Sequence, residues 1–371
     1  MKIPTFQQMG EKPFLEPEDG GGLVWDAYGH PTVNQDLEEV CFTLTIPKGV
    51  APPNGWPVVL YGHGTGGGYT SHLKPSVAGE MSNLKVWNAD TEPYDRDVPL
   101  APFGWDQVLH GPRVGPAPLD PDALVFNFRN PKAALGNFYQ SAAETLFMAM
   151  LMNGWAEVAP DIADVDLPLD PENVMFLGHS QGGISGALAA PFMEEISTVI
   201  LSGTGGGLVE SLLRKSSPVD VKDGVIVALQ DENISRTHPV LALLQHYYEP
   251  VDPINYGKHY FFEPIDGHSV TVLHPLGLGD LHTPPKTMKA LAGAMRSVVA
   301  PGPSLLSCVN EPVLACSSGC DSGLKCVFGK CLGPEEQPQC KPPCSGSGLC
   351  DFSLFEKFGG VQLVLLPRKV S

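Results

Sequence analysis

The apolar positions of this chain fall into short β-type runs separated by helical patterns. That order predicts an α/β fold, a mainly parallel sheet covered by helices on both faces. Val58-Val59-Leu60-Tyr61 and Val174-Met175-Phe176-Leu177 are the clearest strands, and each runs straight into glycine. Val40 to Ile46 alternates and stops at Pro47, which suits an edge strand. Leu124 to Phe128, Thr198 to Leu201, Val225 to Leu229 and Val270 to Leu273 are further strand candidates. Helical spacing marks Ser141 to Asn153, with Leu146 and Met150 on one face, the small-residue stretch Gly183 to Ala190, Pro239 to Tyr248, and a segment opening near Lys286. Residues 70 to 120 are rich in Pro, Gly and Asp with little period, and predict irregular structure over one edge of the sheet.

Composition sharpens this outline. At 371 residues and 43% hydrophobic content the chain is large enough for a substantial buried core. Lys and Arg total 23 against 41 Asp and Glu, a net charge of −18 that disfavours nucleic acid and anionic membranes as partners. No apolar run reaches the length of a transmembrane span, and Met1-Lys2-Ile3-Pro4-Thr5 lacks the apolar core of a secretory signal.

Cysteine placement divides the chain. Only Cys41 precedes residue 300; Cys308, Cys316, Cys320, Cys326, Cys331, Cys340, Cys344 and Cys350 cluster near the end. Cys316 to Cys331 follow a C-x3-C-x5-C-x4-C rhythm that Cys340, Cys344 and Cys350 begin again. Among Gly, Pro and Ser this predicts a disulfide-stapled module, and hence a secreted or cell-envelope protein. No C-x2-C pair or neighbouring histidine gives zinc spacing, so neither metal nor cofactor is expected. The repeat stops at Phe355, where a fourth cysteine would fall, which reads equally as a degenerate second unit or a truncated or altered terminus. The expected organisation is an extension over 1–39, an α/β domain over 40–303, a cysteine module over 304–350 and an irregular tail over 351–371.

The chemistry centres on Gly178-His179-Ser180-Gln181-Gly182, a glycine-flanked serine between a strand and a helix pattern. That is the arrangement of a nucleophile elbow, in which the glycines leave room for a strained turn and the helix N-terminus favours developing negative charge. Chance occurrence among 41 glycines is the bland alternative, made weak by the flanking elements. A second loop, Gly62-His63-Gly64-Thr65-Gly66-Gly67-Gly68, follows the earlier strand, and the Thr65 and Gln181 amides are the expected oxyanion donors. It lacks the Gly-Lys-Ser/Thr ending of a phosphate loop.

A serine nucleophile needs an acid and a base, and two pairings are open. Asp280, in Gly277-Leu278-Gly279-Asp280, follows an apolar strand, yet the only later histidine is His282, too close to come from a separate loop. Asp231 with His268 has the Ser-acid-His order of an α/β-hydrolase. For His30, His72, His110, His238, His246 and His259 a polar or capping role is expected. Phe103, Trp105 and Phe138 suggest a pocket for hydrophobic acyl groups.

Several motifs carry a resemblance. G-H-S-Q-G-G, Y-G-H-G-T-G-G, D-Q-V-L-H-G-P-R at 106–113, F-N-F-R-N-P at 126–131, G-N-F-Y-Q-S-A-A-E at 136–144, H-P-V-L-A-L-L-Q at 238–245 and G-L-G-D-L-H-T-P-P at 277–285 resemble the secreted lipase/esterase-type α/β-hydrolases of bacteria, the group that includes virulence-factor lipases. The resemblance covers about 40–300. It implies the α/β-hydrolase fold, Ser180 as nucleophile, Asp280 as acid, a histidine in a late Asp-Gly-His loop, and small-molecule or lipid esters as substrates. This chain has the cysteine-rich segment where that loop belongs. The alternative is a non-enzymatic protein whose degenerate hydrolase domain carries a module for protein or surface contact.

Overall fold

Val58 and Leu60 turn to one side of their strand and Val59 to the other, and each side is buried in its own cluster. The computed structural model describes all residues except 8–9, 35–36, 75–76, 87–95, 116–120, 163–166, 218–219, 301–324, 328–329, 333–360 and 366–371. Among the described residues its main sheet contains nine strands. In chain order they are β1 (Phe42–Leu44), β2 (Trp56–Gly62), β3 (Ala101–Trp105), β4 (Leu169–His179), β5 (Ile196–Ser202), β6 (Thr271–Leu273), β7 (Leu276–Gly277), β8 (Val298–Ala300) and β9 (Val361–Leu365). The spatial order is β7-β9-β6-β5-β4-β2-β3-β1, with β8 also on β9. Strands β6, β5, β4, β2 and β3 run parallel, and β1 and β9 pair antiparallel with their neighbours.

Helices α1 (Pro131–Asn153), α2 (Gln181–Ala189) and, later, α6 (Pro285–Ala294) bury Met148, Met152, Ala187, Met288 and Leu291 with Val58, Leu60, Phe103 and Phe176 on one face of the sheet. On the other face Val59 packs with Met81 of the short helix Val77–Ser82, beside Met175 and Leu177. Between β5 and β6 lie α3 (Leu208–Arg214), α4 (Val221–Leu229) and α5 (Pro239–Tyr248), which share a small cluster of Val209, Ile234 and Leu241.

Four expectations are corrected. Ala101–Trp105 is a fully buried strand inside the stretch read as irregular, paired to β2 in spite of Pro102 and Gly104. Leu124 lies in a helix, Pro121–Val125, and the expected strand there does not form. Val225 to Leu229 is the end of α4, started by the Asp220 side chain accepting from Asp223 N–H and leaving Val227 76% exposed. The tail is not irregular throughout, since Val361–Leu365 adds β9 to the main sheet. Cys308, Cys316, Cys320, Cys340, Cys344 and Cys350 lie outside the described residues, and Cys326 and Cys331 face each other as backbone partners in a hairpin, Lys325–Val327 with Lys330–Leu332. Cys41 is free and exposed. Among the described residues no helix is long and apolar enough to cross a membrane.

The N-terminal segment is tied to the body by buried amides. Asn127 and Asn130 donate to the carbonyls of Phe14, Leu15, Glu16 and Gly20, and Gln140 accepts from Phe6 N–H at 2.7 Å. Beside them, Arg113 grips Glu144 of α1 through both carboxylate oxygens at 2.6 and 2.9 Å and reaches Glu38 at 2.9 Å. Burial works against the guanidinium charge, but the Glu144 and Glu38 carboxylates together offset it and hold the group above its usual pKa. Arg113→Leu strands a buried carboxylate, so urea unfolding is expected to show a loss of about 3–5 kcal/mol. A loss under about 1 kcal/mol would show that the pair is unimportant to folding.

Candidate active site

Ser180 ends the run of β4 and caps α2, with φ 52° and ψ −115°. A side chain is rarely held there, and such strain persists only where the surroundings impose it. Here Ser180 N–H donates to Ser202 O at 2.8 Å and Ser180 O accepts from Ile184 N–H at 3.1 Å, fixing the turn between β5 and α2. Gly182 touches the end of β2 so closely that a methyl group would overlap the Gly62 carbonyl. Its N–H donates to His63 O at 3.1 Å, which fastens the glycine loop to the elbow.

Ser180 is half-buried and lines a cavity of about 1340 Å³. Thr65, Gln181, His179, Asp280 and His282 share that lining. Neither the Thr65 nor the Gln181 amide donates to another described residue. A Cβ on Gly64 would stand 3.0 Å from the His179 ring and 3.3 Å from Ser180 Cβ, so the glycine loop and Ser180 are in contact.

Asp280 stands in the loop between β7 and α6. Its Oδ1 accepts from the N–H groups of His282 and Thr283 at 2.8 and 2.9 Å, and its Oδ2 faces Gly203 beside the His179 ring. Burial lowers the His179 pKa, Asp280 opposes that shift, and His282 adds to it. A neutral imidazole at pH 7 is able to accept a proton. Both His179 and His282 line the cavity with Ser180. His179 is the neighbour of the serine itself, and its signal in the sequence was submerged in the elbow motif.

Asp231 and His268 are not brought together with Ser180. Asp231 sits beyond the end of α4, not a strand, and pairs with His238 at 3.4 Å. His268 contacts Ile196 O at 3.1 Å, at the start of β5, whereas the elbow is bonded to the end of β5 at Ser202. The six residue steps between them span about 20 Å. Phe103 and Trp105 are core residues on β3 rather than pocket walls. Phe138 does line the cavity, with Phe126, Ile184, Leu208, Leu244 and Tyr248.

No protein-family model and no curated protein matches the chain. Among solved structures it is similar to an acetyl xylan esterase from Paenibacillus sp. R4, at 15% identity over 73% of this chain and 72% of that one with a TM-score of 0.42. It is similar also to acetyl xylan esterase 1 from Thermoanaerobacterium sp. JW/SL YS485, at 14% identity over 69% of each chain with a TM-score of 0.39. A third is Est1E from Butyrivibrio proteoclasticus with ferulic acid bound, at 15% identity over 69% of this chain and 81% of that one with a TM-score of 0.36.

Three buried histidines around the sheet stay neutral. Burial pushes His63 down to about 3, with His110 adding to the shift, and pushes His72 and His274 to about 4. Unfolded imidazoles gain protons near the ordinary value of about 6.5, which these folded ones do not. Their contribution is therefore full above about pH 6.5 and declines as pH falls toward 4 and then 3, by up to about 1.4 kcal/mol per pH unit for each. Thermal melts are expected to show Tm falling between pH 6.5 and 4; a flat profile there would contradict the burial of these rings.

Proposed function

We propose that this protein is a serine hydrolase of carboxylic esters, an α/β-hydrolase of the secreted lipase/esterase type working through an acyl-enzyme on Ser180. The observation that carries this reading is the positive φ of Ser180 at a strand-to-helix turn that opens on a cavity beside two undonated amides. Strain of that kind marks a site where geometry is selected over stability.

In the proposed reaction Ser180 Oγ adds to the ester carbonyl carbon while its proton passes to a base. The carbonyl oxygen takes the negative charge, opposed by Thr65 N–H, Gln181 N–H and the start of α2. The tetrahedral adduct expels the alcohol, which receives the proton, and water then releases the acid by the same steps. Asp280 is the proposed acid, placed to support a protonated imidazole. His179 and His282 are the two imidazoles on the cavity wall able to receive the proton. The apolar wall suits hydrophobic acyl groups of small-molecule or lipid esters.

A second reading, a hydrolase-like domain serving protein or surface contact together with the cysteine-rich segment, is favoured by one observation. The acid and histidine that follow Ser180 in the expected order, Asp231 and His268, stand apart from it, His268 meeting Ile196 O at the start of β5. Hydrolysis of p-nitrophenyl butyrate separates the two. Ser180→Ala is expected to abolish turnover, and Asp280→Asn to lower kcat by about 10³–10⁴ through loss of imidazolium support. Turnover indifferent to Ser180→Ala, or none in the parent chain, would leave the binding reading.

The base is assigned by the same assay. His179→Gln and His282→Gln are each compared with the parent, and the true base is the one whose loss costs as much as loss of the serine. Parent-level activity in both would exclude both.

A further inference from the structure

His63 is 1% exposed, lies at the root of the glycine loop, and takes no part in the proton transfers above. Its ring is nonetheless held by two bonds whose polarity can be assigned. Gln107 N–H, which can only donate, points at Nε2 at 3.2 Å. The ring proton of the neutral imidazole is therefore on Nδ1, and Nδ1–H donates to Gly64 O at 2.8 Å. Gly64 O also accepts from Gly67 N–H at 3.0 Å.

The Gly64 carbonyl and the Thr65 N–H belong to one peptide plane, and in a trans peptide they point in opposite directions. Two donors on that carbonyl thus aim the Thr65 N–H the other way. Glycine at 64, 66, 67 and 68 gives the loop freedom to rotate this peptide, so something outside the loop has to hold it. The preceding peptide, His63–Gly64, is held as well. His63 O accepts from Gly182 N–H at 3.1 Å and from the Gln107 side-chain amide. Further along the loop, His110 Nδ1–H donates to Val108 O at 2.9 Å, which leaves Nε2 to accept Gly66 N–H at 3.0 Å.

We infer that His63 is a positioning residue that keeps the Gly64–Thr65 peptide from rotating, so that the Thr65 amide faces the carbonyl oxygen of a bound ester before any substrate arrives. This rests on the proposed hydrolase reading. Burial keeps the ring uncharged, with its pKa near about 3, so the tautomer and the bond to Gly64 persist across the pH range of activity. A donor aimed at the developing oxyanion acts on the transition state more than on the bound ester, so its loss appears in kcat rather than KM.

The test compares the parent chain with His63→Leu, which has no donor, and His63→Asn, whose amide N–H stands about where Nδ1 does. With p-nitrophenyl butyrate, His63→Leu is expected to lower kcat about 10²-fold or more with KM little changed, and His63→Asn to recover at least about tenfold of that loss. In ¹⁵N spectra the Thr65 amide is expected as one signal in the parent and in His63→Asn, and as a shifted or doubled signal in His63→Leu. Equal kcat in the parent and His63→Leu, a Thr65 signal indifferent to the substitution, or a fall in kcat/KM that comes from a higher KM would overturn the inference. The imidazole nitrogens of the parent give a reading that needs no variant to fold, since a proton on Nε2 rather than Nδ1 is incompatible with it. A parent chain without Ser180-dependent turnover removes the hydrolase reading, and the Thr65 signals then still decide whether His63 holds the peptide.

Discussion

The close approach of Gly182 to the end of β2 is the constraint on which the rest of the site depends. Because no side chain intervenes, the first turn of α2 rests on the Gly62 and His63 carbonyls, and the loop after β2 is fixed relative to the serine. A larger residue would push helix and strand apart and carry the Gln181 amide away from the Thr65 amide. The strained Ser180 turn is a consequence of the same contact. The chain has to leave β4, accept a bond with Ser202 O, and enter a helix whose place is already set.

Beneath this contact a layer of buried polar residues does for the loop what apolar packing does for the sheet. Asp106 accepts from Tyr69 N–H, Gln107 from its side chain and backbone holds His63, and His110 holds Gly66. Each of these comes from the turn after β3, so the strand that pairs with β2 also carries the groups that tether the loop of β2. Arg113 at the far end of that turn links it to α1 and to Glu38. Glycine supplies freedom in the loop, and side-chain hydrogen bonds remove it at chosen peptides.

The sequence made β2, β4, the elbow, α5 and the start of α6 legible because each shows its period openly and ends on glycine or begins at proline. It concealed β3, where Pro102 and Gly104 imitate a loop; pairing with β2 on one side and β1 on the other overrides those residues. It also disguised α4. Val225, Val227 and Leu229 look like a strand, but the Asp220 cap and an exposed Val227 make them one partly buried helix face. In the site, the tight turn at Ser180 could be read from local pattern, whereas His268 is set apart from it by meeting the start of β5 rather than its end. That is a three-dimensional fact with no local signature. His63 and His179 escaped notice because residues in a glycine-rich motif are easily read for their backbones alone.

Residues 203–270 leave the sheet after β5 and return to it at β6, two adjacent parallel strands. Asp252, in the later half of this insert, accepts from the N–H groups of Gly207 and Leu208 and so ties the insert's start to its own later part. An insertion that starts and finishes at neighbouring places in the sheet can lengthen, shorten or change shape without shifting the register of any strand beneath it. The roof of the cavity is thereby free to diverge among descendants of this architecture while the floor stays constant.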